Sequence, residues 1–516
     1  MLVKLSSFEG WENTESVEYS GRCRSSRVDH HMTRFSQPSF LHGAPKPLVL
    51  TRQTQGEQPF ELYEKIASHG QPSFLLESAK GLAGGPCYSF LGSGPAAVVS
   101  VPARSERFAS EDPFEPLRQA VGTAGIEQTP GLPPFFGGAV GCFNYDFVRR
   151  LETLPSLAPD DPAMPHAQFA LYDLVTAVDH RDDRLQIIFC PSMERFLGEE
   201  REKLYREGLD RLAECEARLL ATAAAQTPLT VEPLAFAPEQ PRDAYLDRVR
   251  RVQAYIAAGD IYQANLSHRF AADMPASHDS GPARLRYEQA LYRQLRAVNP
   301  SPFSGLLRFG EVSLISSSPE RLVRLRGRRA ETRPIAGTRP RGSAADADRR
   351  LVQELLASPK ERAEHVMLVD LERNDLGRVC EFGSVQVDEF MVVEQYSHVS
   401  HIVSNVSGLL RSDATPFDLI KATFPGGTIT GVPKIRCMEI IEELEPVRRG
   451  PYTGSFGYIG WNGDLDLNIV IRTLVVTGPK AYLQVGAGIV ADSNPDEEYA
   501  ETLHKAQAFF SSLTRA

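Results

Sequence analysis

The chain has 516 residues, 42% of them hydrophobic and 24% charged, so it can bury a core without disulfides or structural metals. Its net charge of -10 argues against a general nucleic-acid-binding protein. No apolar run reaches the roughly 18 residues of a membrane helix, the N-terminus lacks a signal peptide, and the seven cysteines form no CxxC pair. We therefore expect a cytoplasmic protein without nucleic-acid or membrane partners.

The first half of the chain divides into three regions. Residues 1–45 are polar and aperiodic, which predicts a disordered tail. Residues 46–225 form an N-terminal domain with strand-like runs, for example 72–78 and 185–189, followed by a long charged helix. Residues 226–241 contain four prolines and no helical period, so we assign them as a linker.

The second region, 242–512, begins with a helix that ends at Gly259, a typical C-terminal cap. Later elements are strands at 305–309, 312–317, 466–476 and 481–485, and helices at 345–368 and 495–513. Helices and strands are interspersed without regular βαβ alternation. This favours an α+β fold, or a complex α/β arrangement with antiparallel sheets, over a Rossmann or TIM layout.

Two predicted helices each carry a pair of glutamates on one face. Glu361 and Glu364 are three residues apart, and Glu498 and Glu501 have the same spacing, with Lys505 one turn further on. Like charges at this spacing repel unless a cation or water compensates. If the helices face each other, the four carboxylates surround one point, which suits Mg²⁺. The alternative interpretation is two solvated helix faces.

Two glycine-rich segments and one arginine are candidates for anion binding. Residues 426–434 have the glycine spacing of a Walker A loop, but Val432 occupies the position of the required lysine. Residues 486–491 resemble a dinucleotide-binding fingerprint, but the roughly 25 residues that follow cannot complete a βαβ unit. Their backbone N–H groups can bind a carboxylate, or the segments can simply be tight turns. Arg472 lies in an apolar strand and needs either a structural or a substrate carboxylate as partner.

Six collinear strings from this region resemble the chorismate-binding family of anthranilate, aminodeoxychorismate, isochorismate and salicylate synthases. They are Gly-Asp-Ile-Tyr-Gln-Ala-Asn-Leu-Ser at 259–267, Ser-Pro-Glu at 318–320, Arg-Pro-Ile-Ala-Gly-Thr-Arg-Pro-Arg at 333–341, Met-Leu-Val-Asp-Leu-Glu-Arg-Asn-Asp at 367–375, Phe-Pro-Gly-Gly-Thr-Ile-Thr-Gly-Val-Pro-Lys at 424–434 and Gly-Ala-Gly-Ile-Val-Ala-Asp-Ser at 486–493. The resemblance implies the chorismate-utilising enzyme fold, in which antiparallel β-sheets form a central sandwich flanked by helices. Residues 48–190 are similar to the N-terminal domain of the amine-forming members.

The resemblance also implies a set of site residues. Glu364 and Glu501 would bind Mg²⁺ directly, and Glu361 and Glu498 would hold its waters. The residues implied to hold the substrate carboxylates or line the same pocket are Thr338, Thr428, Gly431, Lys434, Tyr458, Arg472, Gly486, Ala487, Gly488 and Lys505.

Two further residues have implied catalytic roles. Glu320 matches the general acid that protonates the departing C4 hydroxyl, for which it needs a raised pKa. His401 matches the histidine associated with pyruvate elimination in anthranilate synthase.

Position 263 indicates which nucleophile is used. In members that add water this position is a lysine that acts as general base, whereas here it is Gln263. Glutamine cannot deprotonate water but leaves room for ammonia, which argues against isochorismate and salicylate synthases. No glutaminase signature appears in the sequence, so a glutamine amidotransferase partner is implied.

Between the two amine-forming activities, the sequence favours the synthase subunit of aminodeoxychorismate synthase, on the path to 4-aminobenzoate and folate. Thr-Ile-Thr-Gly at 428–431, Gly-Ser-Phe-Gly-Tyr at 454–458 and Asp-Leu-Asn at 466–468 are similar to that group. Ala336 departs from it, because many members carry a nucleophilic lysine there. The alternatives are anthranilate synthase component I and a non-catalytic, tryptophan-binding regulatory relative.

A possible tryptophan site lies at residues 76–78. Leu76, Glu77 and Ser78 belong to a Leu-Leu-Glu-Ser string that resembles the tryptophan-inhibition motif of anthranilate synthase. The string can be an active regulatory site, a retained structural tryptophan site or a core strand with a polar end.

Overall fold

The computed structural model describes residues 40–41, 44–78, 87–103, 112–122, 126, 128–221, 232–278, 281–342, 345–395 and 399–513. The predicted tail at 1–45 lies outside these residues except at 40–41 and 44–45. The predicted linker at 226–241 lies outside them up to residue 231.

The strands of the described residues are β1 (Leu48–Gln53), β2 (Ser73–Glu77), β3 (Tyr88–Ser93), β4 (Ala97–Val101), β5 (Gly138–Phe143), β6 (Ala167–Tyr172), β7 (Leu174–Asp179), β8 (Arg184–Phe189), β9 (Ala237–Pro238), β10 (Gln263–Asp273), β11 (Phe303–Arg308), β12 (Val312–Ser318), β13 (Arg321–Arg326), β14 (Arg329–Arg333), β15 (Ile335–Pro340), β16 (Gln386–Gln395), β17 (Val399–Leu409), β18 (Gly431–Val432), β19 (Ser455–Gly460), β20 (Leu465–Asn468), β21 (Thr473–Thr477) and β22 (Lys480–Ile489).

The α-helices of the described residues are α1 (Pro59–Ile66), α2 (Glu115–Val121), α3 (Met193–Gly198), α4 (Arg201–Leu220), α5 (Arg242–Ala257), α6 (Gly281–Val298), α7 (Ala345–Ala357), α8 (Pro359–Gly377), α9 (Pro416–Thr423), α10 (Lys434–Leu444) and α11 (Pro495–Leu513). None of these helices combines the length and apolar character needed to cross a bilayer.

Two antiparallel sheets form the centre of the molecule. The first has the strand order β1-β8-β7-β3-β2-β11-β12-β21-β22-β10-β18, with β9 beside β10. The second has the order β15-β17-β14-β13-β20-β19-β5-β6-β4, with β16 beside β17. Rings from the two sheets meet between them: Phe74 on β2 lies 4.6 Å from Tyr172 on β6, and Phe90 on β3 lies 5.6 Å from Tyr458 on β19. The predicted sandwich of antiparallel sheets is therefore confirmed.

Both sheets run through both predicted regions of the chain. In the first sheet β2 pairs with β11, and in the second β5 pairs with β19. The end of the predicted linker is also folded, because β9 pairs with β10 and the Leu234 N–H donates to the Leu513 carbonyl at 2.8 Å. Each region therefore completes the other's hydrogen-bond ladders.

Two predicted elements are interrupted in the structure. The helix predicted at 345–368 is two helices, since Ser358 caps α8 through its hydroxyl and Pro359 occupies the first helical turn. The strand predicted at 466–476 stops at Asn468 and resumes at Thr473. Between them Arg472 has a φ of 49°, a left-handed conformation that interrupts a regular strand.

We expect Phe135→Ala to destabilise both regions at once. Its buried ring lies 5.5 Å from Phe90 and 4.6 Å from Tyr458, so it is part of the shared core. The loss should be about 3–5 kcal/mol in the free energy of unfolding. Urea unfolding followed by far-UV circular dichroism and by tryptophan fluorescence should show one coincident transition, and the exposed control Val98→Ala should change little. Two well-separated transitions would contradict a shared core.

Candidate functional site

The two acidic helices face each other. Burial raises the pKa of Glu364 on α8, and the charges of Glu361 on the same helix and Glu501 on α11 raise it further. Burial also raises the pKa of Glu498, again with a contribution from Glu501. Because the charge of Glu501 on α11 acts on Glu364 on α8, the two acidic faces lie near each other, with Glu498 buried and Glu501 52% exposed.

Protein donors hold three of these carboxylates. The Gln263 amide donates to Glu364 Oε1 at 2.9 Å, Arg339 Nη1 lies 3.1 Å from Glu361 Oε1, and Lys505 Nζ lies 2.7 Å from Glu501 Oε1. Across the described residues, no three His, Cys, Asp or Glu side chains form a ready metal-ligand group. An all-carboxylate donor set still suits a hard divalent cation, provided that Lys505 and Arg339 release the oxygens they hold.

The glycines at 486–488 lie within strand β22 and not in a turn. Gly486 is opposite Ser267 of β10, and Gly488 is opposite Asn265. A Cβ atom on Gly488 would lie 2.5 Å from the Gln263 amide nitrogen. Strand β21 pairs with β22 only at residues 480–483, so it leaves this glycine segment uncovered on that side. Among the described strands, only β10 pairs with this segment, and Lys505 Nζ donates to the Gly486 carbonyl at 3.0 Å.

Glu320 is a buried acid in the connection between β12 and β13. Burial raises its pKa to about 7, and the neighbouring Thr428 hydroxyl, the Ile335 backbone and the charges of Arg472 and Lys505 limit this rise. Its Oε1 atom has no hydrogen-bond partner among the described residues. Glu320 therefore keeps a large protonated fraction at neutral pH and has one oxygen available to a ligand.

His401 is a buried, neutral histidine in the same site. Burial lowers its pKa to about 4, and the charges of Arg472 and Lys505 lower it further. Its Nδ1 lies 3.0 Å from the Thr338 hydroxyl and 3.2 Å from the Gly337 carbonyl. The same two cations, Arg472 and Lys505, therefore act on both Glu320 and His401.

The backbone at the break between β20 and β21 positions Arg472. Its carbonyl accepts a hydrogen bond from the Ser317 N–H at 3.0 Å, which ties the break to strand β12. The left-handed backbone at this residue turns the chain out of the ladder, and the side chain acts on Glu320 and His401. The predicted position of Arg472 inside a continuous strand is wrong, but the break brings its charge to the site.

The segment around 428–434 lies between Gln263 and Glu320. Thr428 is in a short 3-10 turn beside Glu320, and Gly431 pairs with Ala264, next to Gln263. Lys434 is engaged elsewhere: its Nζ donates to Asp375 at 2.6 Å and to the Thr423 carbonyl at 3.4 Å.

A buried acid cluster lies behind Glu320. Burial and the neighbouring charge of Asp375 raise the pKa of Glu372, which also interacts with Glu320. Because the ammonium of Lys434 pairs with Asp375 in this cluster, its charge stabilises the interior instead of facing the pocket.

Tyr458 lies away from the other predicted residues. It lies on β19, where it pairs with Asp466 of β20. Asp466 in turn pairs with Arg324 of β13. Glu320 immediately precedes β13, so it lies about four residues, or about 13 Å of strand, from Arg324 and therefore from the level of Tyr458 in the sheet. The Tyr458 ring stacks on Phe135 at 4.6 Å within the sandwich core. Its prediction as a pocket residue conflicts with this geometry, because the alternation of β19 directs it into the aromatic core.

Tyr452 approaches the glycine edge that Tyr458 does not reach. A Cβ on Gly486 would lie 2.7 Å from the Tyr452 hydroxyl, and Tyr452 itself is buried. The sequence carries no periodicity or motif that singles out this tyrosine. Sequence reasoning therefore missed it.

The Leu-Leu-Glu-Ser segment ends strand β2 with its carboxylate already engaged. Glu77 accepts hydrogen bonds from Arg296 at 2.5 and 2.9 Å and from the Tyr292 hydroxyl at 2.8 Å, both on α6. The Ser78 N–H donates to the Ser89 hydroxyl at 3.1 Å, and Leu76 pairs with Gly305. The segment therefore joins β2 to α6 and β3, and its use as a tryptophan site stays a prediction.

Comparison with known proteins identifies relatives over most of the chain. A family described as chorismate binding enzyme matches residues 71–511. Anthranilate synthase component 1 of Thermus thermophilus is 44% identical over 473 residues, which cover 89% of this chain and 96% of that protein. Aminodeoxychorismate synthase component 1 of Bacillus subtilis is 42% identical over 465 residues, with 88% and 94% covered. Relatives with two different activities are thus similar to this chain at nearly the same level.

The fold comparison agrees. The crystal structure of anthranilate synthase component I from Streptococcus pneumoniae superimposes with a TM-score of 0.72 at 32% identity and covers 89% of this chain and 98% of that one.

We expect Glu320→Gln to make stability less dependent on pH. An acid whose pKa is raised on folding, here from 4.5 to about 7, makes the folded state bind more protons, so wild-type stability falls as pH rises through this window. Relative to the wild type, the variant should therefore gain about 3 kcal/mol between pH 4 and pH 8.5. Urea denaturation at both pH values measures this gain. The exposed control Glu311→Gln should show none, and parallel curves for wild type and Glu320→Gln would show that Glu320 titrates normally.

Proposed function

The chain belongs to the chorismate-binding enzymes, and from this membership we propose that it is the synthase subunit of an aminodeoxychorismate synthase. The observation that carries the choice of an amination is Gln263, whose amide donates to Glu364 at 2.9 Å inside the pocket. An amide cannot take a proton from water, whereas ammonia is already a nucleophile. The choice of product rests on the strings at 428–431, 454–458 and 466–468.

The substrate, chorismate, is an enolpyruvyl diacid, and the electropositive part of the pocket supports its binding. Arg472 and Lys505 would bind its carboxylates together with backbone N–H groups of the β22 glycine edge. Glu364 and Glu501 would hold Mg²⁺ directly, with Glu361 and Glu498 on its waters. The ion would supply positive charge to one substrate carboxylate.

Glu320 fits the role of general acid. With a pKa of about 7, it can deliver its proton to the C4 hydroxyl as the C–O bond breaks, so that the oxygen leaves as water. Ammonia forms the new C–N bond, and the enolpyruvyl group is retained. Ala336 offers no nucleophile for a covalent intermediate, so C2 activation would proceed by another route, such as addition of ammonia at C2 followed by exchange.

The ammonia would come from a glutamine amidotransferase partner. The relatives are named component 1, which implies a second component in those proteins. With free ammonium salts the chain alone should still turn over.

Anthranilate synthase is the second candidate, and two observations favour it. Ala336 matches the residue of anthranilate synthases at that position and pairs with Ile402, beside His401. His401 is neutral at working pH and so can accept the proton whose loss accompanies pyruvate elimination. A non-catalytic tryptophan-binding relative is disfavoured, because Glu320, Glu364 and Glu501 are all retained.

We expect the purified chain to consume chorismate when given MgCl₂ and ammonium chloride, and to form aminodeoxychorismate. Chromatography with authentic standards measures the product. EDTA should lower turnover at least about tenfold, the loss expected when the charge on a substrate carboxylate is no longer balanced. Anthranilate with released pyruvate would replace the first candidate by the second, and no consumption under any condition would exclude both.

We expect Gln263→Lys to let water compete with ammonia, because a lysine amine in this buried position can act as a general base. A hydroxylated product should appear, most clearly at low ammonium concentration, in the same chromatographic assay. Gln263→Met is the matched control, since it has a similar volume but no base and should give no hydroxylated product. Absence of this product from an active lysine variant would disprove the proposed basis of nucleophile choice.

A further inference from the structure

Arg449 is a fully enclosed arginine with every guanidinium nitrogen engaged, and its side chain is 1% exposed. Nε and Nη2 donate to the two carboxylate oxygens of Glu445 at 2.9 and 2.7 Å. Nη1 donates to the Ile429 carbonyl at 2.9 Å and the Thr453 hydroxyl at 3.1 Å, and Nη2 donates to the Asn265 carbonyl at 2.7 Å. One planar group thus joins the neighbouring segment at Thr453 to two segments further away in the sequence, at Ile429 and Asn265.

Each anchored residue is adjacent or close in sequence to a residue of the pocket. Ile429 follows Thr428, which lies beside Glu320. Asn265 is two residues after Gln263 on the same strand, so both point to the same face. Thr453 follows Tyr452. The guanidinium therefore sets the relative positions of three backbone segments that supply pocket side chains.

Arg449 also contacts the Tyr452 ring. Its guanidinium carbon lies 5.5 Å from the centroid of Tyr452 and 5.0 Å from that of Tyr145. The hydroxyl of Tyr452 reaches the glycine edge at Gly486. A ring packed on a fixed planar cation keeps a defined orientation, so the arginine also determines where this hydroxyl points.

Glu445 extends the network to strand β22. Its Oε1 accepts hydrogen bonds from the Ser267 N–H at 2.9 Å and the Ser267 hydroxyl at 2.7 Å. The Gln484 amide donates to the same hydroxyl at 2.8 Å, two residues before Gly486. The ion pair thus reaches the glycine segment of β22 as well as the three segments that Arg449 anchors directly.

We propose that Arg449 is a positioning residue for the substrate pocket. It acts through Tyr452, Thr428 and Gln263, and this inference rests on the proposed function of the site. Lysine cannot replace it, because an ammonium group can pair with Glu445 but lacks the planar fork that reaches the Ile429 and Asn265 carbonyls together.

Arg284 offers a matched control. It also pairs with a buried glutamate four residues away, Glu288, at 2.8 Å, and donates to two backbone carbonyls, of Gly478 at 2.6 Å and Glu311 at 3.1 Å. Gly478 is eight residues before Gly486, or about 26 Å away along an extended strand. Arg284→Lys therefore removes the same kind of contacts far from the pocket.

The test compares Arg449→Lys with Arg284→Lys. Both variants should lose thermal stability to a similar extent. Only Arg449→Lys should raise the chorismate KM and Kd, by at least about tenfold, with a smaller change in kcat, because the pocket is misplaced while Glu320 is intact. Equal KM values for the two lysine variants would reduce Arg449 to a purely structural role.

A double-mutant cycle with Tyr452→Phe tests whether the arginine acts through the tyrosine. If it does, the double variant should have nearly the KM of the worse single variant and not the product of both effects. Multiplicative effects would overturn that route. If Arg449→Lys does not fold, Thr453→Ala removes one anchor and keeps the charge pair. It should raise KM about two- to threefold, less than Arg449→Lys, because the other hydrogen bonds of the guanidinium remain. An unchanged KM would overturn the proposal.

Chorismate binding by the wild-type chain distinguishes a failure of the proposed function from a failure of the role assigned to Arg449. A wild-type chain that does not bind chorismate overturns the proposed function and this inference with it. Wild-type binding together with a normal Kd in Arg449→Lys overturns only the role of Arg449.

Discussion

Mutual repulsion among clustered carboxylates, one of them buried and one half exposed, is the constraint on which the pocket depends. Burial raises the pKa of Glu364 on α8 and of Glu498 on α11, and the nearby charge of Glu501 adds to both effects, so the carboxylates of the two helices repel one another unless positive charge compensates. Arg339 and Lys505 supply that charge from the protein itself. The acidic end is therefore held by ion pairs that a divalent cation would have to replace.

At the other end of the pocket, around Glu320 and His401, the charges that act are positive. Arg472 and Lys505 make the surroundings of Glu320 and His401 positive, while burial opposes ionisation of both residues. Glu320 is thereby poised between its two protonation states and His401 stays neutral. Under the proposed function, a diacid would enter a region that favours its charge, next to an acid that can give up a proton. Lys505 is shared by the two ends, because it touches both Glu501 and the Gly486 carbonyl.

Sequence reasoning succeeded where spacing and motif carry physical information. The antiparallel architecture follows from local pattern and family resemblance, and the i, i+3 spacing places each glutamate pair on one helix, whose use as metal ligands stays a prediction. It failed where long-range packing decides. Tyr458 and Tyr452 are alike in local composition, and only the pairing of β19 with β5 places the first in the aromatic core. The break that turns Arg472 out of its strand depends on a contact with Ser317, more than 150 positions earlier in the chain.

Because strands of the two regions pair with each other, the covalent link between the regions contributes less to holding them together. Pairing of β2 with β11 and of β5 with β19 leaves neither region with a finished sheet edge, so each presents a template complementary to the other. The covalent connection between the regions then acts chiefly by raising the local concentration of two surfaces that already pair with each other. Two polypeptides divided at this point would carry enough information to reassemble as a complementing pair.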